Sequence, residues 1–475
     1  MPFDRRIYCL QPKKLSAETI AVTFAKTSRS PKAFDEIAAE LDEEKSSQFS
    51  EKWIVGYGHS SVAEHAILHI ALENVSRLAI EAIEGNRLAS YTEKSTRYQE
   101  WNREAYFVPR ELAGTQFERP YLSTLNGLFD AYESLIPRVK EVLAAKTPRL
   151  PDEKEKAWSE RLRTSAIDAC RFLLPAASLA NVGVTINART LEYAIRKMLS
   201  SNLEEVRQIG LQMKQVATQE VPTLVKYATP MDYYPRMEQQ FREMTREIAS
   251  SETPDWCQLV GYDLDGEDKI LASLAYRFGG GSYQEHLLNV RKMSPADKKK
   301  VVDELFSGIG TFDTPPRELE YAAFAFDIIM DQGAYFEFKR HRMMSQTPQA
   351  LTTRLGFAVP RVITEAGCED LYTEAMQQAA KTYDLLATES PHAASYIVPN
   401  GFNRRVLCQL NLRELFHFAR IRCNPNAHFS IRRVGRAMIE KISPVFPLFS
   451  GKLCVDCNET SDIIGQKYFI SLARH

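Results

Sequence analysis

Two stretches of this chain carry the same features in the same order, and that repetition limits the fold more than any single motif does. In the first, Glu64-His65 opens an apolar run, AILHIALENVSRLAIEAI, that ends at Asn86-Arg87-Leu88-Ala89-Ser90. In the second, Glu320-Tyr321 opens AAFAFDIIMDQGAYFEF, which ends at His341-Arg342-Met343-Met344-Ser345. The spacings from Glu to Arg are 23 and 22 residues. Each stretch then passes through Val-Pro-Arg (108–110 and 359–361), a long segment of helical periodicity, and an apolar segment ending at Pro175 or Pro399. Last comes Asn-x-Arg leading into another helix, at Asn187 and Arg189 or at Asn411 and Arg413. The turn-flanked polar segment from Thr229 to about Thr253 reads as a connector with a helical middle. The expected organisation is therefore a first repeat over 1–228, a connector over 229–256 and a second repeat over 257–475. The first repeat carries roughly thirty extra residues around 145–160, charged and Pro-containing, which read as a surface excursion.

Coarse periodicity is mixed. Ala66, Leu68 and Ile70 alternate with Ile67 and His69 as in a strand, and VSRLAIEAI continues with apolar residues three and four apart, as in a helix. Helical periodicity also runs over 117–146, 190–227, 367–388 and 412–444. Long helices around small sheets, a mixed α/β (α+β) fold, is the expectation.

Composition narrows the function classes. Sixty basic against 61 acidic residues leave a net charge of −1, which lacks the basic excess of a protein that wraps nucleic acid. No apolar stretch approaches a membrane span and the N-terminus has no apolar core of signal-peptide length. Eight sparse cysteines fit reduced thiols, so a cytoplasmic protein is expected, with no nucleic-acid or membrane partner and no metal. The one Cys-x-x-Cys, Cys454 to Cys457, has no second pair and no nearby His-x-x-x-His, and two ordinary thiols explain it better than a redox pair or half a zinc site.

Three clusters carry chemistry. Lys339-Arg340-His341-Arg342 follows an aromatic run and suits an anionic, planar partner such as a phosphate, carboxylate or flavin, but a solvated helix end would hold the same residues. Ser90-Tyr91-Thr92-Glu93-Lys94-Ser95-Thr96-Arg97-Tyr98 has the hydroxyls, arginine and turn character of a phosphate cradle, and equally the residues of a capping-rich loop. Arg413 and His417 lie four apart on one helix face, with Arg420 and Arg422 beyond. Asn187 and Asn411 serve as helix caps on either reading.

These segments resemble the flavin-dependent thymidylate synthases, whose signature is similar to R-H-R-x-x-S-x-N-E-x-S-x-R-Y, preceded by H-x-S/T-x-x-E-H and followed by N-A-R-S-L. The first repeat reads HSSVAEH at 59–65, GNRLASYTEKSTRY at 85–98 and TINARTL at 185–191. The second reads RHRMMSQTPQALT at 340–352 and LNLRELFHFARIR at 410–422. The losses are complementary. The first repeat keeps Glu93, Ser95 and Arg97 but has Gly85 and Asn86 where the signature has Arg and His. The second keeps Arg340, His341 and Arg342 but has Pro348, Ala350 and Thr352 where it has Glu, Ser and Arg. Where the first repeat has Arg171 the second has Ser395, and where the second has Arg422 the first has Met198. Thr92 replaces the signature Asn, Glu337 stands where the family tends to have Gln, and Asp313-Thr314-Pro315-Pro316 replaces the His59-Ser60-Ser61 stretch.

The resemblance implies reductive methylation of dUMP to dTMP, with FAD as cofactor and NADPH and methylenetetrahydrofolate as co-substrates. It implies one composite site drawn from both repeats. Arg422 and Arg340 would act on the substrate catalytically, while Glu93, Ser95, Thr96, Arg97, Arg171 and Glu337 bind the nucleotide. Arg340, His341, Arg342, His59, Ser61, Glu93, Asn187, Arg189, Asn411, Arg413 and His417 would hold the flavin. A homodimer would recreate the four-subunit assembly of the family as a pseudo-tetramer. Two rivals stay open: flavin-dependent methyl or hydroxymethyl transfer to another pyrimidine nucleotide, and a non-catalytic nucleotide-binding scaffold left by decay of both copies.

Overall fold

Each repeat is organised around an alternating strand that runs directly into a capped helix. The computed structural model describes residues 14–27, 30, 32–52, 60–245, 255–310, 313–453 and 458–475; His59, Cys454 and Cys457 lie outside them. Among these residues the chain forms two compact units. The first contains residues up to Lys94 with 105–113 and 177–249; the second contains 95–104, 114–176 and 250–475. The units do not follow the repeats, because part of the first repeat builds the second unit.

In the first unit, strands β1 (Ile67–Ser76), β2 (Ala89–Glu93) and β3 (Leu179–Asn187) form an antiparallel sheet in the order β1-β3-β2. Leu68, Ile70 and Leu72 point inward from β1 and His69 and Ala71 outward, as the alternation requires. The ladder is interrupted between Leu72 and Val75, where Asn74 adopts φ 54°. Asparagine tolerates that left-handed region, and the Asn181 side chain accepts a 3.0 Å bond from its amide. The Ser76 hydroxyl then caps helix Arg77–Ile83 through the Ala79 amide at 2.9 Å. Helices Ala17–Thr27, Phe34–Ala39, Glu43–Phe49, Ala188–Leu199 and Glu204–Glu220 belong to the same unit, and helix Tyr233–Met244 lies in the connector segment.

In the second unit, β4 (Cys257–Tyr262), β5 (Ala323–Asp331), β6 (Ser345–Pro348) and β8 (Asn403–Asn411) form an antiparallel sheet in the order β4-β5-β8-β6. A separate ribbon pairs β7 (Phe357–Pro360) with β9 (Phe469–Arg474). Phe324, Phe326, Ile328 and Met330 carry β5 into a core shared with Leu415, Phe418, Ile431 and Met438 from the helices that cover the sheet. Asp331 repeats the part of Ser76, capping helix Gln332–Phe338 through the Ala334 amide at 2.8 Å. Helices Glu118–Lys146 and Glu155–Cys170 pack together in this unit, and Thr124 meets Thr382 of helix Glu369–Ala387 at 2.7 Å.

Two long stretches of helical periodicity each resolve into two helices. The 190–227 stretch breaks at Ser200–Leu203, and the 412–444 stretch divides into Leu412–Arg422 and Phe429–Ile442. Asn424-Pro425-Asn426 causes the second break, since proline disfavours helix at the residue before it and lacks the amide a continuing helix needs. The extra residues near 145–160 are the end of one helix, a turn and the start of the next, mostly exposed. No helix among the described residues is long and apolar enough to cross a membrane.

Candidate active site

The second unit gathers most of the charged side chains singled out in the sequence. Helix Gln332–Phe338 is buried along its whole length, which brings Glu337 inward with only 7% of its surface exposed. Arg171, 2% exposed, donates from Nη2 to Glu337 Oε1 at 3.1 Å. Arg422, in the last turn of helix Leu412–Arg422, donates from Nη1 to Glu337 Oε2 at 3.0 Å. Its Nε donates to His341 Nε2 at 3.0 Å, and His341 Nδ1 lies 3.4 Å from Glu414 Oε1. Five side chains thus form one line: Arg171, Glu337, Arg422, His341, Glu414.

The line fixes the state of the histidine. An Nε2 that accepts from a guanidinium carries no proton, so the Nδ1 proton points to Glu414. Burial, with the Arg422 cation adding to it, holds the His341 pKa below its ordinary value, although the Glu414 carboxylate pulls the other way. Burial likewise lowers the pKa of Arg422, with Arg340, Arg97 and Arg171 all close enough to push in the same direction and Glu337 opposing them.

Arg97 completes the cluster. Its guanidinium makes a forked pair with Asp168, at 3.0 Å from Nε to Oδ1 and 2.9 Å from Nη2 to Oδ2, and reaches the Asn426 carbonyl at 3.3 Å. Ser95 Oγ accepts from the Arg97 amide at 3.2 Å, and Thr96 is buried. Buried His428, held neutral by desolvation and by the Arg171 and Arg97 cations, contacts the Asp168 carbonyl at 3.2 Å. Burying three arginines and three carboxylates wholly or in large part costs several kcal/mol per ion before pairing, and apolar side chains of similar volume would stabilise as well. Stability alone does not account for such a cluster.

Beside it lies a cleft of about 920 Å³, lined by Asn411, Arg413, Glu414, His417, Arg420 and, across it, Asp313, Thr314, Pro315 and Arg317. Arg413 ties the far wall down by donating to the Pro315 carbonyl at 2.9 Å and to Glu320 at 3.0 Å; Arg420 donates to the Asp313 carbonyl at 2.7 Å. Glu414 belongs to both cleft and cluster, and the His417 and His341 rings meet edge-on at 5.7 Å. Arg340 is exposed and Arg342 partly so, in the turn on either side of His341.

The remaining expected residues belong to the first unit. Glu93 closes β2 with its carboxylate buried 3.8 Å from Arg77. Arg189 pairs with Glu64, and Asn187 caps its helix through the Thr190 amide at 2.8 Å. Ser61 is exposed in the turn Ser60–His65.

Asp168, Glu414 and His428 were not foreseen. Asp168 stands three residues before Arg171, and Glu414 three before His417, so each shares a helix face with an expected residue. That spacing was the available signal.

Small antiparallel sheets between long helices, with an arginine-rich cluster beside a large cleft, are the frame in which these side chains meet. The chain belongs to the thymidylate synthase complementing protein family (Thy1), whose model matches residues 12–223 and again 258–448. It is 32% identical over 440 residues to a UPF0159 protein of Chlamydia muridarum, covering 89% of this chain and 83% of that one. A flavin-dependent thymidylate synthase of Clostridium tetani is 26% identical over 215 residues, which are 45% of this chain but 82% of the relative, as a single unit matching one of two repeats would be. Among solved structures, the flavin-dependent thymidylate synthase ThyX of Helicobacter pylori complexed with FAD and dUMP aligns with TM-score 0.32 and 15% identity, over 42% of this chain and 99% of that one.

Proposed function

We propose that the protein is a flavin-dependent thymidylate synthase, a methyltransferase that converts dUMP to dTMP at one composite site. The observation that carries the reading is the joining of Arg97 and Arg171, from the first repeat, to Glu337, His341 and Arg422, from the second, within one compact unit. Arg97, Arg171, Arg422 and neighbouring Arg340 against the carboxylates of Asp168, Glu337 and Glu414 leave a positive charge over, suited to a nucleotide phosphate.

The cleft beside the cluster fits FAD by the chemistry of its donors. Arg413, Arg420 and Arg317 offer guanidiniums to a pyrophosphate, and Phe416, Ile421 and Met343 offer apolar surface to a ring. Asn411, Arg413, His417, Arg340, His341 and Arg342 would hold it. FAD reduced by NADPH supplies the two electrons that a one-carbon unit from methylenetetrahydrofolate needs to reach the methyl level at uracil carbon 5.

The chain's own residues bind, orient and polarise. Arg97, with Ser95 and Thr96, and Arg171 take the phosphate. Arg422 donates to a uracil carbonyl, drawing charge toward it as carbon 5 becomes nucleophilic, and Arg340 adds a second cation. Neutral His341, held by Glu414, keeps the Arg422 fork aimed at the substrate side of Glu337. Glu93, Ser61, Asn187 and Arg189, in the first unit, and His59 keep the ligand roles the family resemblance gives them. The protein works in the cytoplasm as a homodimer of two such chains, giving four repeats, with neither nucleic acid nor membrane as partner; light scattering of a monomer would contradict the dimer.

The test is the visible spectrum of the purified protein before and after NADPH with dUMP. A flavin band that bleaches when the nucleotide is present, with dTMP formed once methylenetetrahydrofolate is added, is expected. A colourless protein that cannot be loaded with FAD would leave the scaffold reading in its place.

A further inference from the structure

Another cavity in the second unit, of about 410 Å³, shares no lining residue with the cleft at Arg413. It is walled by the ends of β5 and β9, the start of β8, the first turns of helix Phe429–Ile442 and Trp256, just before β4. Arg433 lines it with its guanidinium carbon 3.5 Å from the centre of the Trp256 ring. Such a stack covers one face of the guanidinium and leaves the N–H donors along its edge free to bond. Among the described residues no hydrogen bond or ion pair reaches the Arg433 side chain, and its Nε is shielded from solvent without an acceptor. The preceding residue shows the ordinary arrangement, with Arg432 paired to Glu459 at 3.0 Å.

The carboxylates whose charge reaches Arg433 do not neutralise it. Asp331, in the same cavity, accepts from the Ala334 amide with one oxygen and from the Ser430 hydroxyl with the other. Asp255 is paired with Lys441, and Asp462 is exposed. Burial draws the Arg433 pKa down to about 10, against the pull of Asp331, so the group stays charged at neutral pH. A partly buried cation without a counter-ion opposes folding, and a bound anion would offset that. Arg354 brings a second, exposed guanidinium to the cavity, and Met330, Val434 and Leu472 give it apolar wall. We infer that this cavity is a second ligand site, for a small organic acid: an oxyanion gripped by the Arg433 fork over Trp256, with Arg354 as a further cation, on a compact apolar body. A carboxylate and a phosphate monoester share that chemistry, and the volume is that of a small-molecule site. The inference is independent of the nucleotide and flavin reading above.

The test titrates the full-length protein with benzoate, phenyl phosphate and, as an uncharged counterpart, benzyl alcohol, following the part of the tryptophan fluorescence that Trp256→Phe removes. At least one of the acids should bind about tenfold or more tightly than benzyl alcohol, and the tighter of the two identifies the headgroup. Arg433→Met keeps a stem on Trp256 but loses the fork, and should weaken that acid at least about tenfold. Arg354→Gln, at an exposed position, should weaken it about threefold, and Arg422→Ala should leave it unchanged. Without ligand, Arg433→Met should melt no lower than the native protein, since no hydrogen bond or ion pair is lost. Binding of neither acid, equal binding of the alcohol, or loss of acid binding in Arg422→Ala would overturn the inference. So would a melting temperature well below the native one in Arg433→Met, which would make the guanidinium a brace for the fold. Should that variant not fold, the native comparison of acid with alcohol and the Arg354→Gln titration still decide.

Discussion

The two strand-to-helix junctions solve one problem with the same pair of groups in opposite places. At the end of β1, Ser76 caps its helix and its hydroxyl and amide donate to the buried carboxylate of Glu205 at 2.6 and 2.8 Å. At the end of β5, Asp331 caps its helix and meets the hydroxyl of Ser430. Serine and carboxylate have changed elements, and the contact has survived. A few residues on, the copies part. The first unit spends its buried cation on its own sheet, with Arg77 against Glu93, and packs apolar Met198 where the second has Arg422. The second aligns Arg171, Glu337, Arg422 and His341 toward one place. A duplicated frame can therefore hold its architecture by compensated exchanges while buried cations from both copies gather in one unit.

Arg422 and Met198 give the widest separation. Arg422→Ala should lower kcat at least about a hundredfold, as loss of a charge-stabilising donor does, with a smaller change in melting temperature. Met198→Ala should cost about 2–5 kcal/mol of stability from the cavity it leaves, with turnover per folded molecule unchanged. Equal losses of activity would break the contrast. At the junctions, Ser76→Ala and Ser430→Ala should each cost about 1–2 kcal/mol in denaturant unfolding, because each leaves a buried carboxyl without its hydroxyl partner.

Protonation sharpens the same contrast from the side of the second unit. His341 and His428 have pKa values below the ordinary 6.5, first because burial disfavours the charged ring. The unfolded chain therefore binds protons at these positions before the folded one does. Stability should fall as pH drops below about 6.5, by up to about 1.4 kcal/mol per pH unit for each histidine, and be insensitive to them above it. His341→Asn should flatten the slope of unfolding free energy between pH 6.5 and 5. The smallest effect belongs to the matched Asn-x-Arg helices. Arg189→Ala loses an exposed pair with Glu64 and should cost less than about 1 kcal/mol, while Arg413→Ala, at the mouth of the cleft, should weaken FAD binding measured by fluorescence.

The duplication and the complementary losses were legible because they reside in ordered motifs that survive without structure. The Arg340-His341-Arg342 run and Arg422 could be set opposite Arg97 and Arg171 from sequence because each repeat lacked what the other kept. The partners were not legible in the same way. Asp168 and Glu414 are ordinary carboxylates on helix faces, and only folding shows that one forks onto Arg97 and the other turns His341. The Asn426 carbonyl that meets Arg97 belongs to the backbone, which leaves no side-chain signal at all. Helix ends at Leu199 and Arg422 were overrun because periodicity continues across short turns, although Asn424-Pro425-Asn426 marks one of them.

The second compact unit is assembled from three stretches of chain, two of them, 95–104 and 114–176, belonging to the first repeat. Deleting one repeat by a cut in the connector would strip that unit of helices Glu118–Lys146 and Glu155–Cys170 and of Arg97, Asp168 and Arg171 together. Neither descendant of the duplication can be discarded or inherited alone, so the fusion works as an evolutionary ratchet: drift can keep eroding the idle residues of each copy, but it cannot return the chain to a single-repeat ancestor.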